Sequence, residues 1–221
     1  MYHVIGEDSG SLQELYVSPE VFASQMEYLH TNGYHTITMS ELYAHWQEGT
    51  PLPPRPIILT FDDGYKSDYE LVFPTLRTYG FRAVHFLYVK KVDHANGLTP
   101  EEIAELLAAG HEIGNHTYNH IELHTASQQG LVKETEQAKT ALEEMLDIQI
   151  VSFCYPVGRY NSDAIRAVKE SGHKLAVTTE YGYASPEQGL LNLKRIRISR
   201  SDGLQGFIKK LRQYEEIEPP G

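Results

Sequence analysis

Cysteine is almost absent from this sequence. Its 221 residues include a single one, Cys154, so no disulfide can form within the chain. There is no apolar run long enough to cross a bilayer, and no segment has the composition of a signal peptide. Basic residues are also few, because 19 Lys and Arg against 30 Asp and Glu give a formal net charge of -11. This acidic balance disfavours nucleic acid and anionic membranes as partners, and it suits a neutral or cationic substrate.

The apolar residues that are present alternate between strand-like runs and helix-like spacing. Short apolar runs predict strands at residues 57–60, 83–89, 112–114, 151–154, 174–178 and 195–199. The spacing of Phe22 and Met26 predicts a helix capped by Ser18, and Ser40 is predicted to cap the next helix. Alternating strands and helices are typical of a parallel sheet covered by helices. We therefore expect one α/β domain over residues 1–221, with either an open sheet or a barrel.

The run from Ile57 to Thr60 is the most strand-like of these segments, and an acidic pair follows it. Asp62 and Asp63 come where the strand should end, and Gly64 follows them. Adjacent carboxylates repel each other unless a cation or a proton separates them. The pair therefore indicates a metal site, a protonated carboxyl group or two solvated side chains at an ordinary turn.

Two histidines spaced four residues apart follow another predicted strand. His116 and His120 can turn both imidazoles to one side, although such a pair arises easily by chance in a sequence with 11 histidines. One carboxylate and two imidazoles, with an open position for water, form the ligand set of catalytic zinc. The second carboxylate would then be free to act as a general base.

A third motif runs from Phe153 to Gly158, where a predicted strand ends in a Pro and Gly turn. Such a turn can hold backbone N–H groups toward a developing oxyanion. Taken alone, the motif is better explained as a structural turn.

Together and in this order, these three motifs resemble those of the polysaccharide deacetylase family, also called the NodB homology domain or carbohydrate esterase family four. The resemblance covers residues 57–200. It implies a distorted, incomplete (β/α) barrel. It also implies an enzyme that removes N-acetyl groups from a glycan containing N-acetylglucosamine, such as chitin oligomers, peptidoglycan or poly-N-acetylglucosamine.

The resemblance also implies roles for single residues. Asp63, His116 and His120 would bind a divalent metal, most often Zn²⁺, with Co²⁺ or Ni²⁺ as alternatives. Asp62 would be the base that takes a proton from metal-bound water. The backbone N–H of Tyr155, in the turn with Pro156, would bind the acetyl carbonyl and then the oxyanion.

Two departures from the family pattern concern the base and the acid. Cys154 stands where many members carry an Arg that orients the base, so Arg195 or Arg197 could take over that task. Alternatively, the alternating Arg and Ile residues there form a half-buried strand with its charges in solvent. Many members also carry a late His that serves as the catalytic acid, and the segment 193–200 has none. Asp62, once protonated, could supply the proton instead.

The other histidines and the loop tyrosines have weaker signals. His124 could be a further imidazole ligand, whereas structural roles are expected for His3, His85, His111 and His173. Five tyrosines in loops after strands could stack on sugar rings or could simply be exposed: Tyr65, Tyr118, Tyr160, Tyr181 and Tyr183.

The function predicted from these motifs is metal-dependent de-N-acetylation of a glycan. Two alternatives stay open, namely a metal-dependent hydrolase of small amides and a glycan-binding domain that has lost turnover. Met1 to Ile5 resemble the end of a strand, so we expect a leader or an anchor to precede them. An extracellular or cell-envelope location is therefore predicted, with the cytoplasm as the alternative, and no oligomeric state is predicted.

Overall fold

The computed structural model describes residues 1–7 and 12–215, with side chains to residue 213. Its ten strands are β1 (Val4–Ile5), β2 (Tyr16–Val17), β3 (His35–Thr36), β4 (Pro56–Ile57), β5 (Thr60–Asp62), β6 (Val84–Leu87), β7 (Glu112–Asn115), β8 (Ser152–Cys154), β9 (Leu175–Tyr181) and β10 (Leu193–Arg195). Its eight α-helices are α1 (Pro19–Thr31), α2 (Met39–Glu48), α3 (Phe73–Thr78), α4 (Pro100–Ala108), α5 (Gln128–Val132), α6 (Ala138–Leu146), α7 (Ser162–Glu170) and α8 (Gly203–Glu215).

The main sheet has six parallel strands in the order β5, β6, β7, β8, β9 and β10. Helices connect most of the successive strands, and the sheet curls into a half-barrel, as expected for a distorted, incomplete (β/α) barrel. The strand register brings Asp62, Asn115 and Cys154 to the same carboxyl edge. Loops that carry functional residues collect at this edge in such folds.

The N-terminal segment bridges the gap between the two ends of the curled sheet. Tyr2 donates its N–H to the Thr60 carbonyl (2.8 Å) and accepts one from Asp62 (3.0 Å), as an added parallel strand would. On the other side, the N–H of Ile198 donates to the Met1 carbonyl at 3.0 Å. The segment therefore joins β5 to the chain that follows β10.

Two predicted strands have different limits in the structure. The run 57–60 is divided, because Ile57 pairs with Thr36 in a separate two-stranded sheet while Thr60 begins β5 and pairs with Val84. The last strand was predicted at 195–199, whereas β10 ends at Arg195. Pairing ends there because the register shifts within β10 and the chain beyond it pairs with Met1.

Local capping signals explain where the first helices begin. Ser18 caps α1 as predicted, since its Oγ accepts the N–H of Val21 at 3.3 Å. The prediction that Ser40 caps α2 is wrong. Thr38 is the cap, because its hydroxyl accepts the Glu41 N–H at 3.2 Å while the Glu41 carboxylate accepts the Thr38 N–H at 2.8 Å.

The core beneath β5 is aromatic. The ring of Phe61 stacks on Tyr2 with 5.3 Å between centroids, and Phe22 of α1 meets both rings edge-on. Aromatic pairs of this kind stabilise a core beyond the area that they bury. No helix among the described residues is long and apolar enough to cross a membrane.

Candidate active site

The acidic pair at the end of β5 is divided between two sets of partners. Asp62 is 2% exposed, whereas Asp63 lies in the turn that follows, with a φ of +75°. Residues other than glycine rarely adopt a positive φ, and such strain is concentrated at functional sites. The turn sends the two carboxylates in different directions, which reduces their mutual repulsion.

Asp62 forms a buried, two-pronged ion pair with Arg195. The two guanidinium nitrogens donate to the two carboxylate oxygens at 2.7 Å each. Arg195 also donates to the Thr178 carbonyl at 2.9 Å and to the Thr60 hydroxyl at 3.1 Å, so its orientation is fixed. Burial raises the pKa of Asp62, but the charge and hydrogen bonds of Arg195 outweigh it and hold the pKa below its usual range. Of the two arginines considered, Arg195 is therefore the one that orients this carboxylate.

Cys154 contributes a neutral side chain to the same cluster. Its Sγ lies 3.5 Å from Asp62 Oδ2 and 3.2 Å from Arg195 Nη2. Burial raises the pKa of the thiol, so the S–H can donate a weak hydrogen bond to the carboxylate. The position that holds an Arg in many family members is thus filled by a small group, and this leaves room for Arg195.

Asp63, His116 and His120 converge on one point. The Nε2 atoms of His116 and His120 lie 3.2 Å and 3.0 Å from Asp63 Oδ1. The Nδ1 of His116 is 2.7 Å from the Cys154 carbonyl, which can only accept, so Nδ1 carries the ring proton. In a neutral ring, Nε2 then presents a lone pair to a carboxylate oxygen. Two acceptors this close need a proton or a metal cation between them, and although burial lowers the pKa of His116, its contacts with Cys154 and Asp63 raise that pKa overall.

The distances fit a first-row metal. Such ions bind nitrogen and oxygen at about 2.0–2.2 Å, so two ligand atoms about 3 Å apart can share one ion. Asp62, His116 and Cys154 form a second group of suitable spacing, and both groups hold their ligand atoms within 4.8 Å. In that second group, both carboxylate oxygens of Asp62 already accept hydrogen bonds from Arg195, and the Cys154 thiol is neutral. The set of Asp63, His116 and His120 is therefore the better metal site.

The loop that carries both histidines is held by groups that the sequence did not indicate. Thr117 and His120 have φ values of +77° and +59°. The buried carboxylate of Glu134 accepts the N–H groups of Tyr118 at 3.0 Å and Asn119 at 2.8 Å. Asn115 Oδ1 accepts the Thr117 N–H at 2.8 Å. These bonds maintain a strained backbone that aims both imidazoles at Asp63.

His3, for which a structural role is expected from the sequence, lines the same cavity as Asp62 and Asp63. Its Nε2 lies 4.0 Å from Asp62 Oδ2, and its side chain is 11% exposed. Its Nδ1 is buried without a hydrogen-bond partner among the described residues. Burial lowers the pKa of His3. The missed signal was the pairing of the N-terminal segment with β5, which places residue 3 beside residue 62.

The third motif forms a turn at the site, but the prediction for Tyr155 and Pro156 is wrong. The N–H of Tyr155 donates to the Val177 carbonyl at 3.1 Å as part of the sheet, and proline has no N–H. Val157 follows with a φ of +51° and lines the same cavity as Asp62 and Asp63. Its N–H has no hydrogen-bond partner in the described part of the chain. The free donor of this turn is therefore Val157.

A cavity of about 760 Å³ surrounds these groups. Of the five tyrosines considered, Tyr65 and Tyr181 line it, and Tyr88 joins them. Tyr118, Tyr160 and Tyr183 lie outside the cavity lining. Arg197 and Lys210 add two cations to the wall.

The remaining histidines lie away from the metal cluster. His124 is not a ligand, because its Nδ1 faces the Glu122 carboxylate at 3.5 Å. His85 bonds Asp68 at 2.9 Å and His111 at 3.0 Å in the protein interior. His173 contacts Asn115 and Ser171. Structural roles fit these last three histidines.

Comparison with known proteins gives consistent matches. A family model described as polysaccharide deacetylase matches residues 49–176. The YxkH protein of Bacillus subtilis (strain 168), named for that family, is 35% identical over 199 residues, covering 90% of this chain and 70% of that protein. The poly-beta-1,6-N-acetyl-D-glucosamine N-deacetylase of Escherichia coli (strain K12) is 24% identical over 265 residues, covering 99% of this chain but 39% of that protein. The Streptococcus pyogenes deacetylase PplD in complex with acetate superposes with a TM-score of 0.88 at 28% identity, and 95% of each chain is covered.

Proposed function

This chain belongs to the polysaccharide deacetylase family, and from that membership we propose that it is a metal-dependent de-N-acetylase of glycans that contain N-acetylglucosamine. The observation that supports the metal dependence is the convergence of His116 Nε2 and His120 Nε2 on Asp63 Oδ1, at 3.2 Å and 3.0 Å. A cation at this point would be bound by one carboxylate and two imidazoles, which is the ligand set of catalytic zinc sites. A carboxylate that is not a ligand, Asp62, lies beside it, as a hydrolytic site requires.

Asp63, His116 and His120 would hold the metal, with Zn²⁺ favoured by the mixed N and O donors and Co²⁺ or Ni²⁺ as alternatives. The ion would lower the pKa of a water molecule and polarise the acetamide carbonyl. His116 Nδ1–H donates a hydrogen bond to the Cys154 carbonyl, and this bond orients one of the three ligands.

Asp62 is the base in this proposal. Because Arg195 binds both carboxylate oxygens, Asp62 is ionised and correctly oriented before the reaction, and it becomes a neutral carboxyl group when it takes the proton from the attacking water. Val157 lines the cavity, and its N–H would donate to the oxyanion that forms from the acetyl carbonyl.

His3 is the proposed acid. Its Nε2 is 4.0 Å from Asp62, so a proton would pass from the base to the imidazole through one bridging water and from there to the leaving amine. A lowered pKa makes its imidazolium a stronger acid. Protonated Asp62 is the alternative donor, and a His3→Asn variant separates the two. A large fall in kcat with little change in KM would support His3, whereas an unchanged kcat would return the role to Asp62.

The glycan is inferred from relatives. One is named as acting on poly-beta-1,6-N-acetyl-D-glucosamine, and a cell-wall or exopolysaccharide substrate of that kind fits the family. Such polymers lie outside the membrane, so the proposed location is extracellular or in the cell envelope. Deacetylation leaves free amines, and a chain with a net charge of -11 tolerates such a cationic product.

Acetate release from N-acetylglucosamine oligomers is the test. We expect release that stops with a chelator, returns with Zn²⁺ or Co²⁺, and falls at least 100-fold in Asp62→Asn. Asp163→Asn, an exposed change on α7, is the matched control and should retain full activity. No release from any oligomer, with one metal ion still bound per chain, would refute the proposal. Hydrolysis of small amides alone would then indicate a different hydrolase, and tight glycan binding without turnover would indicate a binding domain.

A further inference from the structure

Arg197 is a cation in the wall of the catalytic cavity, and the mechanism above does not use it. Its Nε is buried and has no hydrogen-bond partner, and its guanidinium has no ion pair among the described residues. A buried donor that lacks a partner is costly, so native structures almost always provide one. The guanidinium of Arg197 therefore has no fixed partner among the described residues and is available to a group that enters the cavity.

The other charges of the cavity wall are already matched. Asp62 pairs with Arg195, and Lys210 pairs with Asp202 at 2.6 Å. The remaining carboxylate in the lining, Asp63, faces two imidazoles and the proposed cation. The cavity thus holds one unmatched positive charge on Arg197, in a chain whose net charge is -11. A neutral sugar would leave that charge with solvent as its partner, whereas an anionic group would pair with it directly.

The backbone around Arg197 is fixed. Lys210 donates to the Arg197 carbonyl at 2.8 Å, and the next residue, Ile198, donates its N–H to the Met1 carbonyl at 3.0 Å. The backbone of Arg197 therefore has a defined position before any ligand binds, and the residue lines the same cavity as His3. A fixed starting position reduces the entropy that binding would otherwise cost.

We propose that Arg197 is a specificity-determining residue that binds an oxyanion, a carboxylate or a phosphate, carried by the glycan close to the acetamide that is hydrolysed. A guanidinium matches both groups with paired hydrogen bonds, which distinguishes them from hydroxyl groups. The inference rests on the proposed function, and it narrows the substrate to an anionic glycan.

The test compares three oligomers of equal length. One is neutral N-acetylglucosamine, one alternates N-acetylglucosamine with N-acetylmuramic acid and so carries carboxylates, and one carries a phosphate on a sugar hydroxyl. Each is assayed with the wild-type protein, Arg197→Gln and Arg197→Lys. Arg166→Gln is the control, because Arg166 is an exposed arginine on α7 that pairs with Asp163 outside the cavity.

We expect the wild type to have a lower KM for one anionic oligomer than for the neutral one, and added salt should raise that KM. Arg197→Gln should raise the same KM roughly tenfold or more, with kcat and the neutral KM changed less than about twofold. Arg197→Lys should restore part of the preference. The oligomer that responds identifies the anion as carboxylate or phosphate.

Three results would overturn the inference. The wild type could show no preference for an anionic oligomer. Arg197→Gln could raise the KM equally for all three, which would mean that Arg197 contacts a group common to every sugar. The variant could instead change only the inhibition by added acetate, in which case Arg197 holds the released product.

Failure of the proposed function can be told apart from failure of this inference. If no oligomer releases acetate, calorimetric binding of the same three oligomers to the wild type and to Arg197→Gln still decides the question. A preference for an anionic oligomer that is lost in the variant supports the inference without hydrolysis. Equal binding of all three oligomers by both proteins contradicts it.

Discussion

Replacing Arg195 with Met removes the guanidinium that holds Asp62 and keeps most of the apolar stem. Asp62 is 2% exposed and loses both of its 2.7 Å hydrogen bonds. Removing one partner of a buried ion pair costs about 3–5 kcal/mol, because the other charge stays buried and unpaired. That is a large share of the 5–15 kcal/mol by which a domain is typically stable. We expect Arg195→Met to lower the free energy of unfolding by this amount.

The double variant Asp62→Asn/Arg195→Met removes both charges and should recover much of that loss. Urea unfolding of the wild type, the two single variants and the double variant gives the coupling free energy directly. Acetate release should fall at least 100-fold in Arg195→Met at saturating substrate, because the base is no longer held. Exposed Arg166→Met is the control for loss of an arginine.

The structure also predicts a rescue. Cys154 lies 3.2 Å from the Arg195 guanidinium, so an arginine at position 154 could reach Asp62 from the other side. Cys154→Arg combined with Arg195→Ala should therefore regain part of the kcat that Arg195→Ala loses. Two results would refute the argument that Arg195 stabilises the buried Asp62 carboxylate. Arg195→Met could be as stable as Arg166→Met, or the loss of unfolding free energy in Asp62→Asn/Arg195→Met could equal the sum of the losses in the two single variants.

Three further predictions concern the metal, a turn and the response to acid. Removing the metal from the wild type with a chelator should lower its Tm, and adding Zn²⁺ back should restore that Tm. The double variant His116→Gln/His120→Gln should show no such recovery. Equal Tm values for the wild type with and without the ion would place the metal elsewhere. Gly158→Ala should lower the free energy of unfolding in urea by about 1–3 kcal/mol, because φ is +72° and an added Cβ would lie 1.9 Å from Thr179 Oγ1. Gly172→Ala, at a φ of +83° with open space around it, should lower that free energy less, and equal losses would contradict the steric argument. Burial lowers the pKa of His173 to about 3, so between pH 6.5 and 3 the unfolded chain binds a proton that the folded protein does not, and stability should fall by up to about 1.4 kcal/mol for each pH unit of acidification. Urea unfolding of His173→Asn should show a shallower pH dependence than the wild type, and an unchanged dependence would contradict the burial argument.

The parts of the site that could be predicted from sequence lie within single short segments. Asp62 and Asp63 come directly after Phe61 in β5, and His116 and His120 follow the end of β7. In a parallel sheet, each such segment ends at the same edge, so the convergence of Asp63 with both imidazoles needs only the alternation of strands and helices. The fold class follows from the same alternation, although the curl of the sheet needed the family resemblance.

The parts that failed depend on details finer than a motif. Tyr155 and Pro156 were assigned to the oxyanion, but the last hydrogen bond of the sheet uses the Tyr155 N–H. The free N–H is decided by the residue at which β8 stops pairing and by the positive φ of Val157. Neither feature can be predicted from the residue types alone. Arg195 and Arg197 could not be separated for a related reason. They alternate on a predicted strand, while the register shift within β10 decides which one reaches Asp62.

His3 shows why a distant contact cannot be derived from local pattern. The residue lies next to Tyr2, whose backbone pairs with β5 and whose hydroxyl donates to buried Gln25 of α1 at 2.7 Å. The same ring stacks on Phe61, one residue before Asp62. The core beneath β5 therefore fixes the distance between the proposed acid and the proposed base, and the segment that bridges the two ends of the sheet also supplies the acid. The segment that holds the two ends of the sheet together therefore also places the proposed acid, so a change that loosens Tyr2 should impair protonation of the leaving amine before it affects the metal.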